Sequence, residues 1–180
     1  MTDTVSSDEP RPLPSPERLV ELMMDAARSG RDDVIPALLH AGVAVNARDA
    51  KGFTPLILAS YSGQATTTAL LLARGGSVDL VDSARGNSAL MGVAFKGYPQ
   101  IAALLIEAGA DVNLRNESGQ TALMMAALFG HAAIVDMLLA AGADPGVTDA
   151  AGNSAASVAE AQGNAPMVAA IAAAGGRTKG

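Results

Sequence analysis

Glycine recurs along this chain at a fixed period. Gly30, Gly63, Gly97, Gly130 and Gly163 are separated by 33, 34, 33 and 33 residues, and Gly42, Gly75, Gly109, Gly142 and Gly175 repeat those steps. A third series, Gly52, Gly86, Gly119 and Gly152, follows at 34, 33 and 33. Such a period restricts the chain to architectures in which one small unit is copied along an axis, because a unit of this size cannot cover its own apolar face and must stack on its neighbours. All three series place the one extra residue between Gly75 and Gly86, so the loop around Asp82 to Arg85 is one residue longer than its counterparts.

Within each unit the apolar pattern is helical. Ala65 to Ala73, Gln100 to Ala108 and Ala132 to Ala141 carry Leu-Leu or Leu-Ile pairs at a spacing of three to four, and each run ends at a glycine suited to the left-handed residue after a helix. A shorter helix precedes each, opened by Thr54-Pro55, Ser88-Ala89, Thr121-Ala122 or Ser154-Ala155, with the hydroxyl placed to cap it. Composition agrees: 49% of residues are hydrophobic but only 3% aromatic, which suits small, close-packed helices better than sheets. The unit is helix, turn, helix and extended loop.

Asp49-Ala50-Lys51-Gly52-Phe53-Thr54-Pro55-Leu56, Gly109-Ala110-Asp111-Val112-Asn113 and Gly119-Gln120-Thr121-Ala122-Leu123 resemble the ankyrin-repeat signature, in the same order and spacing. The resemblance covers 17–176 as units 17–48, 49–81, 82–115, 116–148 and 149–176, leaving a Pro-rich, disordered tail at 1–16 and a short tail at 177–180. It implies an all-α solenoid of about five helix-turn-helix repeats with projecting hairpins and a concave face. The His common in the family's first helix is replaced here by Met24, Ile57, Met91, Met124 and Ser157, so looser hairpins are expected. In the first unit Glu17, Arg18, Glu21, Asp25, Arg31 and Asp32 read as the outward face of a cap. Ala155, Ala156 and the run from Ala169 to Ala174 make the last unit the poorest in buried area.

Little in the chain suggests chemistry. It has no Cys, which excludes disulfides, thiol nucleophiles and Cys-ligated metals. His40 and His131 fall three units apart, too far to share a metal or a catalytic dyad. Asp79, Asp111 and Asp144 hold one position per unit and read as turn residues, Asp32 and Asp33 as the acidic start of a helix, and Gly75-Gly76 and Gly175-Gly176 as helix stops. No enzyme activity, metal or cofactor is expected. A net charge of -6 disfavours nucleic acid, and no apolar run is long enough to span a bilayer, so a soluble, cytoplasmic chain, monomeric when free, is expected.

Another protein is the expected partner, bound through the concave face and hairpin tips, the surfaces the ankyrin resemblance implies. The register places Lys51, Phe53, Tyr61, Arg85, Asn87, Phe95, Lys96, Glu117, Leu128 and Phe129 there, including four of the chain's five aromatics. Exposed aromatics beside Lys and Arg are the make-up of an interface hot spot, and this side is less acidic than the chain as a whole. Tyr61, Phe95 and Phe129 are expected about one repeat step apart. Gly86 to Gly97 also resembles a group of small bacterial ankyrin proteins that accompany catalases. That likeness implies an accessory role in catalase or haem handling under oxidative stress, with Met91, Met124 and Met125 as thioether donors. An immunity or inhibitor protein that blocks a toxin is a further alternative.

Overall fold

In the computed structural model, which describes residues 14–176, ten α-helices follow one another as five antiparallel pairs. They are α1 (Pro16–Ser29) with α2 (Ile35–His40), α3 (Pro55–Tyr61) with α4 (Ala65–Ala73), α5 (Ala89–Lys96) with α6 (Pro99–Glu107), α7 (Ala122–Leu128) with α8 (Ala132–Ala140), and α9 (Ala155–Ala161) with α10 (Ala165–Gly175). The odd-numbered helices pack side by side in one layer and the even-numbered ones in a second, each pair also packing internally. Strand-like pairing among the described residues is limited to two isolated bridges, Val81 with Ser88 and Thr148 with Ser154.

The hydroxyl at the head of each short helix caps it. Thr54, Ser88, Thr121 and Ser154 accept from the N–H of Ile57, Met91, Met124 and Ser157 at 3.2, 3.3, 3.4 and 3.2 Å. At α9 the Ser157 hydroxyl returns the bond by accepting from the Ser154 N–H at 2.9 Å, a reciprocal capping box. Replacing one such cap by Ala typically costs about 1 kcal/mol.

The core lies between the layers, and small residues allow the close approach. Ala26, Ala59, Val93, Ala126 and Ala159 occupy one register position on the odd-numbered helices and are all buried. Leu38, Leu71, Leu105, Leu138 and Ile171 fill the facing position on the even-numbered ones. Thr67 stands where α6, α8 and α10 have Ile101, Ile134 and Met167, and its buried hydroxyl donates to the Asp32 carboxylate of the first unit. Asp32 and Asp33 therefore lie in the turn ahead of α2, with Asp33 paired to Arg31 at 2.9 Å, and are not residues of the helix itself.

The hairpins, which lack the His, are closed by other bonds. Each is closed by a carboxylate or amide that accepts backbone N–H groups: Asp49 from Lys51 and Phe53, Asn116 from Ser118 and Gln120, and Asp149 from Ala151 and Asn153, all at 2.9 to 3.0 Å. Neighbouring tips are joined by backbone bonds, Ser83 N–H to the Lys51 carbonyl, Glu117 to Arg85 and Ala150 to Ser118, at 2.9 to 3.1 Å. Arg48 and Arg115 brace the row by donating to carbonyls of their own hairpin and of the next unit, at 2.7 Å for Val81 and Thr148. Gly52 is needed where the tips touch, since with φ at 77° a Cβ there would sit 2.7 Å from the Ser83 nitrogen.

The extra residue is absorbed at one tip. In the other hairpins the glycine N–H bonds the carbonyl three residues back, Gly52 to Asp49, Gly119 to Asn116 and Gly152 to Asp149, whereas Gly86 bonds Asp82, four back. The wider turn exposes one more N–H to the Asp82 carboxylate, which accepts from Ala84, Arg85 and Asn87 at 2.8, 2.7 and 3.2 Å.

Both ends depart from the sequence reading. Helix α1 begins at Pro16, inside the stretch read as tail, with Ser15 accepting from the Arg18 N–H at 3.3 Å. The rest of that stretch, through Leu13, lies outside the described residues, as do 177–180. At the other end α10 runs through Gly175, which lacks the positive φ of Gly42, Gly75, Gly109 and Gly142. Those four glycines each redirect the chain into a hairpin, and among the described residues none follows α10.

Candidate partner-binding face

The ends of α3, α5 and α7 converge on one exposed strip. Tyr61, Phe95, Leu128 and Phe129 are 44, 42, 37 and 46% exposed, large apolar groups left open by the fold. They touch one another: the Tyr61 and Phe95 rings stack with centroids 6.3 Å apart, and Phe95 meets Phe129 edge to face at 4.6 Å. These spacings are shorter than the expected repeat step of roughly 8 to 10 Å, because the rings lean toward one another across the helix ends. The Lys96 ammonium lies 5.2 Å from the centre of the Tyr61 ring, within cation–π range.

His131 extends the strip. Its ring stacks on Phe129 at 6.3 Å, and its Nε2 lies 3.3 Å from the Phe95 carbonyl. One register position explains it, because Gln64, which heads α4 as His131 heads α8, donates to the Arg28 carbonyl at 3.3 Å. Tyr98 holds the same position and lies over Gly63, which accounts for the one aromatic outside the expected surface.

Beside the strip a groove of about 1260 Å³ runs from α1 across α3 to α5. Its floor is Phe53, Ile57, Leu58, Tyr61 and Gly92, and one wall is the tips carrying Lys51, Ala84, Arg85 and Asn87. The opposite wall is α1, whose Glu17, Arg18, Glu21, Asp25 and Arg28 face the groove. Glu17, Arg18, Glu21 and Asp25 therefore line the groove, a correction to their reading as part of an outward cap; Arg31 and Asp32, read with them, are not among the groove's lining. Where later units send out a hairpin, the first unit continues α1 by six residues toward its N-terminus, and this extension closes one end of the groove.

Of the ten residues singled out from sequence, Lys51, Phe53, Tyr61, Arg85 and Asn87 line the groove, and Phe95, Lys96, Leu128 and Phe129 form the strip. Glu117 is at the next tip, its N–H held by Arg85. Phe53 is half-buried against the core, and the Asn87 side chain is committed to a strut, its Oδ1 accepting from Asn116 Nδ2 at 2.9 Å. The α1 wall and Gly92 were missed. The sequence signal for both was register: Asp25, Leu58, Gly92, Met125 and Val158 share one groove-facing position.

Met91 and Met124 are 1 and 3% exposed and pack in the core; Met125 is half-buried against the same core. Asp79 accepts from the Asp111 N–H of the next unit at 2.9 Å, while Asp111 and Asp144 accept from N–H groups two residues on. Among the described residues no three His, Asp or Glu side chains are grouped to hold a metal, and no helix is long and apolar enough to cross a membrane.

Paired helices stacked through five units, with tips bonded in a row beside a concave face, define a helical repeat solenoid. The chain belongs to the ankyrin-repeat family: the model for ankyrin repeats in three copies matches residues 22–116, 65–149 and 91–177. An ankyrin repeat-containing protein of Treponema pallidum (strain Nichols) is 38% identical over 102 residues, 57% of this chain and 33% of that protein. The ankyrin repeat domain-containing protein SAT10 of Stachybotrys chartarum is 38% identical over 95 residues, 53% of this chain and 5% of that one. The ankyrin repeat and SAM domain-containing protein 6 of Rattus norvegicus is 38% identical over 71 residues, 39% and 8% of the two chains. The chain thus spans a third or less of the length of these relatives. Proteins of this family generally mediate protein–protein interaction.

Proposed function

We propose that this chain is a non-catalytic binding module, monomeric when free, that engages another protein through the groove, the aromatic strip and the hairpin tips. Supporting this reading above all is the contiguity of Tyr61, Phe95, Leu128 and Phe129, the large apolar side chains left exposed among the described residues. Exposed rings of this kind beside Lys51, Arg85 and Lys96 suit an anchor-and-rim interface.

Affinity capture from the native host with the intact chain, run beside a Tyr61→Ala/Phe95→Ala/Phe129→Ala variant of unchanged helicity, tests the proposal. The same protein should be retained by the first and lost from the second. Equal retention by both would place the binding surface elsewhere.

A further inference from the structure

The groove's charges divide into those already matched and those left open. On the α1 wall Arg18 pairs with Glu21 at 2.7 Å and Arg28 with Asp25 at 3.0 Å. The Asp49 and Asp82 carboxylates at the tips are occupied by backbone N–H groups, and Arg48 by carbonyls. Lys51 and Arg85 remain: neither side chain has a carboxylate or carbonyl partner among the described residues, although the chain carries a net charge of -6. Lys96 adds a third cation at the strip, facing only the Tyr61 ring. Glu17 on the α1 wall and Glu117 at the next tip are likewise without a cation partner among the described residues, so the open charge is positive along the stretch of tip wall that carries Lys51 and Arg85.

The floor is apolar and has a dent. Gly92 sits inside α5, where glycine costs about 1 kcal/mol relative to Ala and no turn requires it. Equivalent positions on α3, α7 and α9 carry Leu58, Met125 and Val158. A Cβ at Gly92 would lie 3.1 Å from Tyr61 Cδ2, so the missing side chain lets the Tyr61 ring lie back toward α5.

We infer that the groove takes an acidic protein segment that presents one large apolar side chain. The apolar group sits on the floor formed by Leu58, Tyr61 and Gly92, and Asp or Glu residues flanking it reach Lys51, Arg85 and Lys96. This rests on the protein-binding reading above and adds the chemistry of the partner. Complementary rim charges of this kind set association rate and specificity, and their contribution falls as salt rises.

Selection from a random dodecapeptide phage library on the immobilised full-length chain tests it. Enriched peptides should carry at least two Asp or Glu around a Leu, Phe, Met or Trp. A synthetic consensus peptide should bind Lys51→Glu/Arg85→Glu at least tenfold more weakly than the parent, with unchanged circular dichroism, and should lose affinity between 50 and 300 mM salt. Enriched peptides that are neutral or basic, but lost on the triple aromatic variant, would overturn the acidic inference and leave the protein-binding reading standing. Absence of any enrichment counts against both. Displacement of the peptide by an oligo(dT) 20-mer at equal concentration would mean that the cations serve a nucleic acid, and would also overturn it. A dimer of the parent chain in sedimentation, abolished in Lys51→Glu/Arg85→Glu, would make a second copy the occupant and do the same.

Discussion

Phe95 and Phe129 meet edge to face with ring centroids 4.6 Å apart, although they belong to neighbouring units. The contact gives each ring a structural share beside any binding role. Aromatic pairs of this geometry contribute about 0.5 to 1.5 kcal/mol beyond area burial, whereas truncating a fully buried Phe costs about 3 to 5 kcal/mol. With 46% of Phe129 exposed, Phe129→Ala should lower folding stability by about 1 kcal/mol in urea titration. Calorimetry with the captured partner should show a binding loss of about 2 kcal/mol or more. A folding loss above about 3 kcal/mol with unchanged affinity would make the ring a core residue.

Asp82 and Asp149 close equivalent hairpins in different surroundings. Asp82 is 5% exposed and accepts three backbone N–H groups, while Asp149 is half-buried and accepts two. Burial makes unmatched donors costly, so Asp82→Ala should destabilise by about 2 to 3 kcal/mol and Asp149→Ala by about 1 kcal/mol or less. Equal denaturation midpoints for the two variants would contradict this account of the wider tip.

The last unit should be separable. Helices α9 and α10 present many exposed alanines on their outer sides and bury only Ala155, Ala159, Met167, Ile171 and Ala174 among their apolar residues. Deletion from Asp149 onward leaves four stacked units, so a cooperative helical transition should survive at reduced stability. Its complete loss by circular dichroism would show that stability is not a sum of neighbour contacts.

Acid should act on the last hairpin through Asp149. The Asn153 N–H above all, then the Asn153 side chain and the N–H groups of Ala151 and Gly152, hold its carboxyl below the usual carboxylate range. A folded value below the unfolded one means that the unfolded chain takes up the proton first as pH falls. The contribution is therefore complete above the unfolded value of about 3.9 and is lost as pH drops through the folded value. An NMR titration should place the Asp149 midpoint below 3.9 by a measurable margin, and Asp149→Asn should remove the acid-side dependence of hydrogen exchange at 151–153. A midpoint at or above the unfolded value would refute it.

The architecture was legible because its determinants are local. Glycines at φ near 70 to 94°, hydroxyls at helix heads and Leu at fixed intervals each act within a few residues, and a fixed period repeats them until they stand out. The one-residue insertion between Gly75 and Gly86 could be located before any coordinates for the same reason. What escaped was everything that depends on distance between units. The Thr67–Asp32 bond, the lean of Phe95 onto Phe129 and the backbone bonds joining the tips involve residues 32 or more apart, and no propensity encodes them. The α1 wall was missed because charged residues on a terminal helix read equally well as an outer cap. The face they occupy depends on helix phase relative to the groove.

The wider tip at Asp82 acts as a dislocation in an otherwise periodic lattice. Along the row of hairpins the backbone is nearly the same from one unit to the next, and a ligand reading only that backbone would have no way to choose its position. At Asp82 to Gly86 the translation is broken by one residue, and Arg85, one of the two open cations of the groove, sits on the break. A periodic scaffold thereby acquires an origin, a single place from which positions along the face can be counted.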